Sequence, residues 1–430
     1  MAATQLSIFP APRFGGRLAV PGDKSISHRY VLFGAMADGT TSIVGLAPGA
    51  DVASSLACMH AMGAAIHRTG PGALEIKGRG RHRMAPADGE LDCGNSGTTL
   101  RLLAGIVASH PFRSRLIGDA SLSRRPMRRV IDPLTAMGAT ITSRDGRPPL
   151  EIDGANLAAI DWTPPVASAQ TKTAILLAGL AAHGTTIVRE PLPTRDHTER
   201  AFDLFGIAHD SRPGYSAVEG GQCPVAPSGL LRVPGDPSSA AVWAAVAASH
   251  PGWWVEIDGV CLNPLRLGFV RALSRMGADV RLTETGKAGG ETMGTVRVAH
   301  GAPRAATIGS EMVPSLIDEL PVLAAAAALG AGLKVSGAEE LRVKESDRIA
   351  SLALGFRQLG VHLTERPDGF EIEGGQQPAG GQVDAHFDHR LIMAFTVLAL
   401  SATGPTLITG ADAVAVSYPN FQADLLHLCR

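Results

Sequence analysis

Six stretches of the chain are apolar almost without interruption, and each is introduced by a small polar residue. They begin near Ser25, Ser96, Ser168, Ser238, Asp318 and Asp388, as in SGTTLRLLAGIVA and DHRLIMAFTVLAL. Ser and Asp at such positions accept hydrogen bonds from the first N–H groups of a helix, so the pattern predicts six capped helices. A helix with no polar face is predicted to be buried on all sides. Between the six run alternating segments such as Thr140-Ile-Thr-Ser143 and Ala73-Leu-Glu-Ile-Lys77, which predict half-buried strands. A third signal recurs at spacings of roughly 70 to 80 residues: Met62-Gly-Ala64, Met137-Gly-Ala139, Phe205-Gly-Ile207, Met276-Gly-Ala278 and Leu359-Gly-Val361. Each predicts a helix end, a glycine just past it and a strand start.

The chain also repeats on a longer scale. Val20-Pro-Gly-Asp-Lys-Ser25 returns as Val233-Pro-Gly-Asp-Pro-Ser238, about half a chain later. Together these patterns predict six α/β units, three in each of two related halves. Helix N-termini present unpaired N–H groups and the positive end of the helix dipole, which suits phosphate or carboxylate. If several converge between the halves, an anion-attracting cleft is expected there.

Composition narrows the function classes. At 430 residues, two or three domains are expected, and 45% hydrophobic with 18% charged residues suits a globular fold throughout. Aromatics at 4% argue against stacking platforms for single-stranded nucleic acid, and a net charge of −1 argues against a general basic groove. Nucleic acid is therefore not an expected partner. Cys58, Cys93, Cys223, Cys261 and Cys429 are odd in number and lack metal-ligand spacing, so they are expected as idle thiols in a reducing compartment. The histidines are dispersed without an H-E-x-x-H motif, so no metal or cofactor is expected. No leader is evident in the first residues, and the Val322–Leu329 run is too short to span a bilayer, so a cytoplasmic protein without a membrane partner is expected.

Candidate chemistry gathers at the helix starts. Pro21-Gly-Asp-Lys-Ser-Ile-Ser-His-Arg29 brings Lys24, Ser25 and, one turn on, Arg29 to one helix face, a set that can hold a phosphate or carboxylate. Gly94 and Gly97 in Asp92-Cys-Gly-Asn-Ser-Gly-Thr-Thr-Leu-Arg101 allow close approach of backbone to a ligand, although the spacing is not that of a P-loop. Gly118-Asp-Ala-Ser-Leu-Ser-Arg-Arg-Pro-Met-Arg-Arg129 carries four arginines, and Pro126 predicts a loop leading into a helix. Charge runs are more often solvated faces than sites.

These motifs resemble those of the EPSP synthase family, the 3-phosphoshikimate 1-carboxyvinyltransferases. The resemblance continues through Ser168-Ala-Gln-Thr-Lys-Thr173, Arg195-Asp-His-Thr-Glu199, Ile317-Asp-Glu-Leu320, Leu341-Arg-Val-Lys-Glu-Ser-Asp-Arg-Ile349 and Asp388-His-Arg390, in family order over nearly the whole chain. It implies an α/β fold of two similar domains, each of three βαβαββ units around buried helices, with a cleft between them. The family's domain order implies one domain from residues 1–20 and 234–430 and another from 21–233. The implied reaction moves the enolpyruvyl group of phosphoenolpyruvate to the 5-hydroxyl of shikimate 3-phosphate, through a tetrahedral adduct that loses phosphate. These two small molecules are the expected partners, and a monomer is expected.

The resemblance also implies residue roles. Lys24 would touch both substrates. Ser25, Arg29, Ser168, Ala169, Gln170, Arg195, Asp318 and Lys344 would hold shikimate 3-phosphate. Gly97, Arg125, Gln170, Arg348 and Arg390 would surround phosphoenolpyruvate with Lys24, the guanidinium groups gripping carboxylate and phosphate two oxygens at a time. Asp318 would be the base for the acceptor hydroxyl, and Lys24 and Glu345 the proton carriers at the methylene carbon, in an order the sequence leaves open.

Two departures stand out. Ala169 replaces a second serine found in some members, and Val416, in Ala415-Val-Ser-Tyr-Pro419, replaces a lysine that binds phosphoenolpyruvate in others. Motifs such as G-D-A-S-L and R-D-H-T-E look like the family's second, divergent class, some of which resist glyphosate, often with Ala at the position of Gly97. Gly97 is kept here, which predicts sensitivity. Two rival readings remain at this stage. The enolpyruvyl transferase acting on UDP-N-acetylglucosamine shares fold and donor but normally carries a reactive Cys that is missing between Gly118 and Arg129. A non-enzymatic anion-binding protein on this architecture would keep the cations without needing Asp318 or Glu345.

Overall fold

All six apolar stretches are helices: Lys24–Met36, Gly97–Ala108, Ala169–Gly179, Pro237–Ala248, Leu320–Leu329 and His389–Leu400. The computed structural model describes residues 5–430. Nearly every residue from Pro237 to Ala247 and from His389 to Leu400 is buried, as a helix without a polar face requires. Each buried Leu, Ile or Phe contributes about 1.5–3 kcal/mol relative to exposure, which outweighs the tenths of a kcal/mol per residue of helix propensity.

The caps differ from expectation at three of the six starts. Asp23, not Ser25, caps the first helix and accepts from Ile26 N. Asp236, not Ser238, caps the fourth and accepts from Ser238 N. The repeated V-P-G-D therefore ends on the cap itself, and the run read from the sequence begins two residues after that cap. The Leu320–Leu329 helix starts after Glu319 with no side-chain cap bond. Ser96, Ser168 and Asp388 cap as expected.

The chain divides into two units. One comprises Gly22–Val233 and Ala288–Glu291; the other comprises Met1–Pro21, Pro234–Lys287 and Thr292–Arg430. In the first unit, three four-stranded sheets share one order. Leu91–Asp92 runs parallel to Arg113–Ile117, which pairs antiparallel with Arg147–Asp153, itself paired with Thr140–Arg144. Asp161–Trp162, Thr185–Arg189, Tyr215–Glu219 and His209–Arg212 repeat the order. In the third sheet the strand that Asp38–Val44 needs on its parallel side comes from the far end of the unit, Leu231–Arg232. In the first two sheets the buried helix, Gly97–Ala108 or Ala169–Gly179, sits in the crossover between the parallel strands; in the third, Lys24–Met36 leads directly into Asp38–Val44.

The second unit has the same construction. Gly15–Ala19 pairs in parallel with Trp254–Cys261, so a strand near the start of the chain completes a sheet otherwise made of residues beyond 234. Ala306–Ile308 and Gly332–Val335 repeat the parallel pair, and a three-stranded sheet joins Gln5–Ile8, Thr406–Thr409 and Gly381–Asp384. Trp243 lies in the core, stacked on Phe421, with its indole N–H donating to Tyr418.

A second helix in each of five repeats ends at the Met-Gly-Ala-type signal. Gly63, at φ +100°, follows the Ala50–Ala61 helix, and Gly138, Gly206, Gly277 and Gly360 take left-handed φ at the matching places. Inside the first unit the Gly97–Ala108 and Ala169–Gly179 helices approach so closely that a Cβ on Gly105 would fall 2.2 Å from the Ala174 carbonyl oxygen.

Candidate active site

In the first unit, the starts of the three buried helices carry the predicted cations. Arg29, 2% exposed, is one turn inside the Lys24–Met36 helix. Its Nη1 donates to the Ser25 carbonyl at 2.9 Å, its Nε to Thr198 Oγ1 and its Nη2 to Thr173 Oγ1, each at 2.8 Å. Burial pulls its pKa down to about 10, Glu199 and Asp23 oppose that, and Arg195 adds to it, so the group keeps its charge at neutral pH. Lys24 Nζ is 2.9 Å from Asp51 Oδ2. Ser25, Ser168, Ala169, Gln170 and Arg195 are half-buried. Ser168 caps its helix by accepting from Thr171 N at 3.3 Å, which leaves its own hydroxyl hydrogen to donate.

The second and third helices are tied together by Gln170. Its Oε1 accepts from Arg101 Nη1 at 2.7 Å, and its amide donates to Thr98 Oγ1 at 2.8 Å. Gly97 opens its helix directly beneath two guanidinium groups: a Cβ there would lie 2.8 Å from Arg101 Nη1 and 3.4 Å from Arg125 Nη1. Arg125 is 7% exposed and donates to Asn95 Oδ1 at 2.5 Å, while Asn95 donates to Asp119 Oδ2 at 2.7 Å. Pro126 does lead from a loop, through Met127, into the Arg128–Ala136 helix. The polar network continues under Lys24. His28 Nδ1 meets Ser55 Oγ, which meets Thr99 Oγ1, each at 2.8 Å. Burial lowers the His28 pKa to about 3, against the pull of Asp51 and with that of Lys24 and Arg29, so the ring stays neutral.

In the second unit, Asp318, Lys344, Glu345 and Arg348 form one cluster. Arg348 is its hub: Nε donates to Asp388 Oδ2 at 2.8 Å, Nη2 to Glu345 Oε2 at 2.6 Å, and Nη1 lies 3.5 Å from Asp318 Oδ1. Lys344 Nζ is 3.4 Å from the same Asp318 oxygen. Burial works against the charge of Arg348, but Asp388 and Glu345 outweigh it, so its pKa rises. Asp388, fully buried, is pushed up by burial and brought back below the usual carboxylate range by Arg348. It also accepts from Arg390 N at 2.9 Å as the cap of its helix. Arg390 is 8% exposed. Val416 is half-buried at the end of the short Ala411–Val416 helix.

The second unit thus brings Asp318, Lys344, Glu345 and Arg348 into contact, while in the first Arg125 lies over Gly97 and Arg29 bonds the Ser25 carbonyl. Several functional neighbours escaped the sequence reading: Asp51, Arg101, Thr173, Thr198 and Asp388. Arg101, Thr173, Thr198 and Asp388 were within quoted motifs, and only Asp51 was not. Thr198 meets Arg29 across 169 residues, which no local pattern reveals. The dispersed histidines also hid one grouping, Asp196, His197 and Glu291, whose carboxylates are engaged by Arg200 and by His197 Nδ1. Among the described residues no helix is long and apolar enough to cross a membrane.

The comparisons with known proteins agree with one another. A family model described as EPSP synthase (3-phosphoshikimate 1-carboxyvinyltransferase) matches residues 10–425. The 3-phosphoshikimate 1-carboxyvinyltransferase of Acidithiobacillus ferrooxidans is 48% identical over 423 residues, 98% of this chain and 96% of that protein. That of Halorhodospira halophila is 48% identical over 417 residues, 96% and 94% of the two chains. The solved EPSP synthase of Acinetobacter baumannii superposes with a TM-score of 0.86 at 40% identity, covering 99% of this chain and 98% of that one.

Proposed function

The chain belongs to the EPSP synthase family, and from that premise we propose how its residues divide the work of the reaction. It is a 3-phosphoshikimate 1-carboxyvinyltransferase: it transfers the enolpyruvyl group of phosphoenolpyruvate to shikimate 3-phosphate and releases phosphate. In the proposed division, Lys24, Ser25, Arg29, Ser168, Ala169, Gln170, Arg195, Asp318 and Lys344 hold shikimate 3-phosphate. Lys24, Gly97, Arg125, Gln170, Arg348 and Arg390 hold phosphoenolpyruvate. Asp318 takes the proton of the 5-hydroxyl, and Lys24 and Glu345 serve the methylene carbon.

The observation that carries this reading is the cluster around Arg348. Asp388 and Glu345 fix its guanidinium from two sides, and Asp318 sits between it and Lys344. A carboxylate flanked by two cations, half-exposed rather than sealed, can reach an acceptor hydroxyl, and a guanidinium held this rigidly binds a carboxylate or phosphate without first paying to be ordered. The same proposal takes 1–20 with 234–430 and 21–233 as the two domains, and the working form as a cytoplasmic monomer.

Asp318→Ala tests the roles. General-base loss costs roughly 10²–10⁴ in rate, so kcat should fall by that factor while both KM values move only a few-fold. Unchanged turnover would remove Asp318 from that role. Sedimentation of the purified chain at about 1 mg/ml checks the monomer, the working range for such runs being set by interfaces of ordinary affinity.

A further inference from the structure

Lys344, beside Asp318, and Glu345, on Arg348, stand on a segment that is neither helix nor strand. A short helix, Glu339–Val343, ends just before them, and the Arg348–Gln358 helix begins just after them. Neither helix dictates the path of the chain between the two. Arg342 fixes that path from the side.

The Arg342 guanidinium spans the loop and the strand pair next to it. Its Nη1 donates to Asp347 Oδ2 at 2.9 Å and Oδ1 at 3.2 Å, which closes the chain across Val343, Lys344, Glu345 and Ser346. The same nitrogen donates to Glu365 Oε1 at 3.0 Å. Nε donates to the Pro367 carbonyl at 2.8 Å and Nη2 to the Arg366 carbonyl at 2.5 Å. Pro367 and Asp368 form the turn between the paired strands Leu363–Arg366 and Gly369–Glu373. That turn also receives the Ala338 N–H on the Asp368 carbonyl at 2.7 Å and the Gly337 N–H on the Asp368 carboxylate at 2.8 Å. The chain is thus tied to one turn ahead of the loop and to Asp347 behind it.

The charge of Arg342 is already spoken for. Burial works against it, but Asp347 and Glu365 outweigh burial and raise its pKa. Asp347 serves twice, since its Oδ1 also accepts from Ala350 N at 3.0 Å as the cap of the next helix. The side chains are 25% exposed at Arg342, 39% at Asp347 and 44% at Glu365, and ion pairs this close to water add little stability. Placement, not stability, is what the arrangement supplies.

We propose that Arg342 is a positioning residue for the transfer: its fork of donors holds the Val343–Ser346 loop so that Lys344 stays beside Asp318 and Glu345 stays on Arg348, while Arg342 touches neither substrate. The inference rests on the roles proposed above for Asp318, Lys344 and Glu345. A shift of about 1 Å in a group that takes part in the chemistry can cost on the order of 10²-fold in rate. A lysine cannot replace the fork, because one ammonium nitrogen cannot meet Asp347 and the Pro367 and Arg366 carbonyls from a single point.

Steady-state kinetics and thermal unfolding of the full chain test this. Arg342→Met should lower kcat by about 10- to 100-fold. The KM for phosphoenolpyruvate should stay within a few-fold, because Asp388 still holds Arg348 at Nε and Nη2. The unfolding midpoint should move by only a few degrees. Arg342→Lys should recover little of the lost kcat. Asp347→Asn keeps a good helix cap but removes the charge that Arg342 grips, so it should lower kcat in the same direction. Both changes break one contact, so the double variant should be within about twofold of Arg342→Met. Near-native turnover in folded Arg342→Met, or in Asp347→Asn where Arg342→Met does not fold, overturns the inference. Full recovery in Arg342→Lys, or fully additive losses in the double variant, overturns it too. Glu345→Gln and Asp318→Ala separate the two readings. If both turn over normally, the site assignment itself fails; if either is slow while Arg342→Met is not, only the role of Arg342 fails.

Discussion

At the scale of single residues, Gly97 shows how little room the site has. Its missing Cβ would sit 2.8 Å from one guanidinium nitrogen and 3.4 Å from another. Contacts that tight force the long side chains to yield, at about 1–3 kcal/mol for overpacking. Arg101 cannot yield without disturbing Gln170, whose Oε1 it holds at 2.7 Å. Gly97→Ala should therefore raise the KM for phosphoenolpyruvate by roughly tenfold while leaving the KM for shikimate 3-phosphate within a few-fold. Glyphosate should inhibit the native enzyme well below millimolar concentrations and the Gly97→Ala enzyme far less. Inhibition assays on the two proteins check both statements, and negligible inhibition of the native chain at millimolar glyphosate would contradict the first.

At the scale of elements, the starts of the buried helices fix the chemistry, and they titrate in a way that can be measured. His28 lies inside the Lys24–Met36 helix with Nδ1 bonded to Ser55 and its pKa lowered from 6.5 to about 3 by burial, with Lys24 and Arg29 lowering it further and Asp51 opposing. The sign follows from proton counting. Between pH 6.5 and 3 the unfolded chain binds a proton at His28 that the folded chain refuses, so this group's contribution is complete above 6.5 and is lost as pH falls through that window. The slope for one such group is about 1.4 kcal/mol per pH unit. His28→Asn removes the titration, so its urea midpoint should fall less than that of the native chain between pH 7 and pH 5; equal falls would show that His28 is not the group responsible.

The same elements show what the sequence made legible. The six buried helices were readable because nothing but burial explains a dozen apolar residues in a row. The five left-handed glycines were readable because only glycine takes that backbone conformation without strain. Strands of two residues, such as Leu91–Asp92, Asp161–Trp162 and Leu231–Arg232, were not readable, because two residues carry no alternation. Cap positions slipped by two residues at Asp23 and Asp236, because the apolar pattern starts inside the helix. The hydroxyl pair around Arg29 and the Asp388 support of Arg348 were invisible, since partners 169 and 40 residues away meet only in the folded chain.

At the scale of the whole chain, the interleaving of the two units makes one of them separable. Gly22–Val233 contains all three sheets of its unit, because the last strand needed, Leu231–Arg232, comes at its end. The only part it lacks is Ala288–Glu291. Those four residues supply the Gly289 carbonyl to Tyr30 Oη at 2.6 Å and the Glu291 carboxylate to His197 Nδ1 at 2.6 Å and Arg200 Nε at 3.4 Å. Losing partners of that kind costs about 1–3 kcal/mol each, which is small beside the roughly 5–15 kcal/mol of a stable domain. A fragment of residues 21–233 should therefore fold and unfold cooperatively, at a lower midpoint than the intact protein. It keeps Lys24, Ser25, Arg29, Ser168, Gln170 and Arg195, so shikimate 3-phosphate should still stabilise it, by about 2.7 kcal/mol at a hundred times its dissociation constant. Circular dichroism and thermal unfolding with and without the ligand check this. A random-coil spectrum would mean that Ala288–Glu291 is indispensable to the domain. A folded fragment with no ligand shift would mean that the acceptor depends on Asp318 and Lys344 for its binding; where the shift is present, Arg29→Met in the fragment should abolish it.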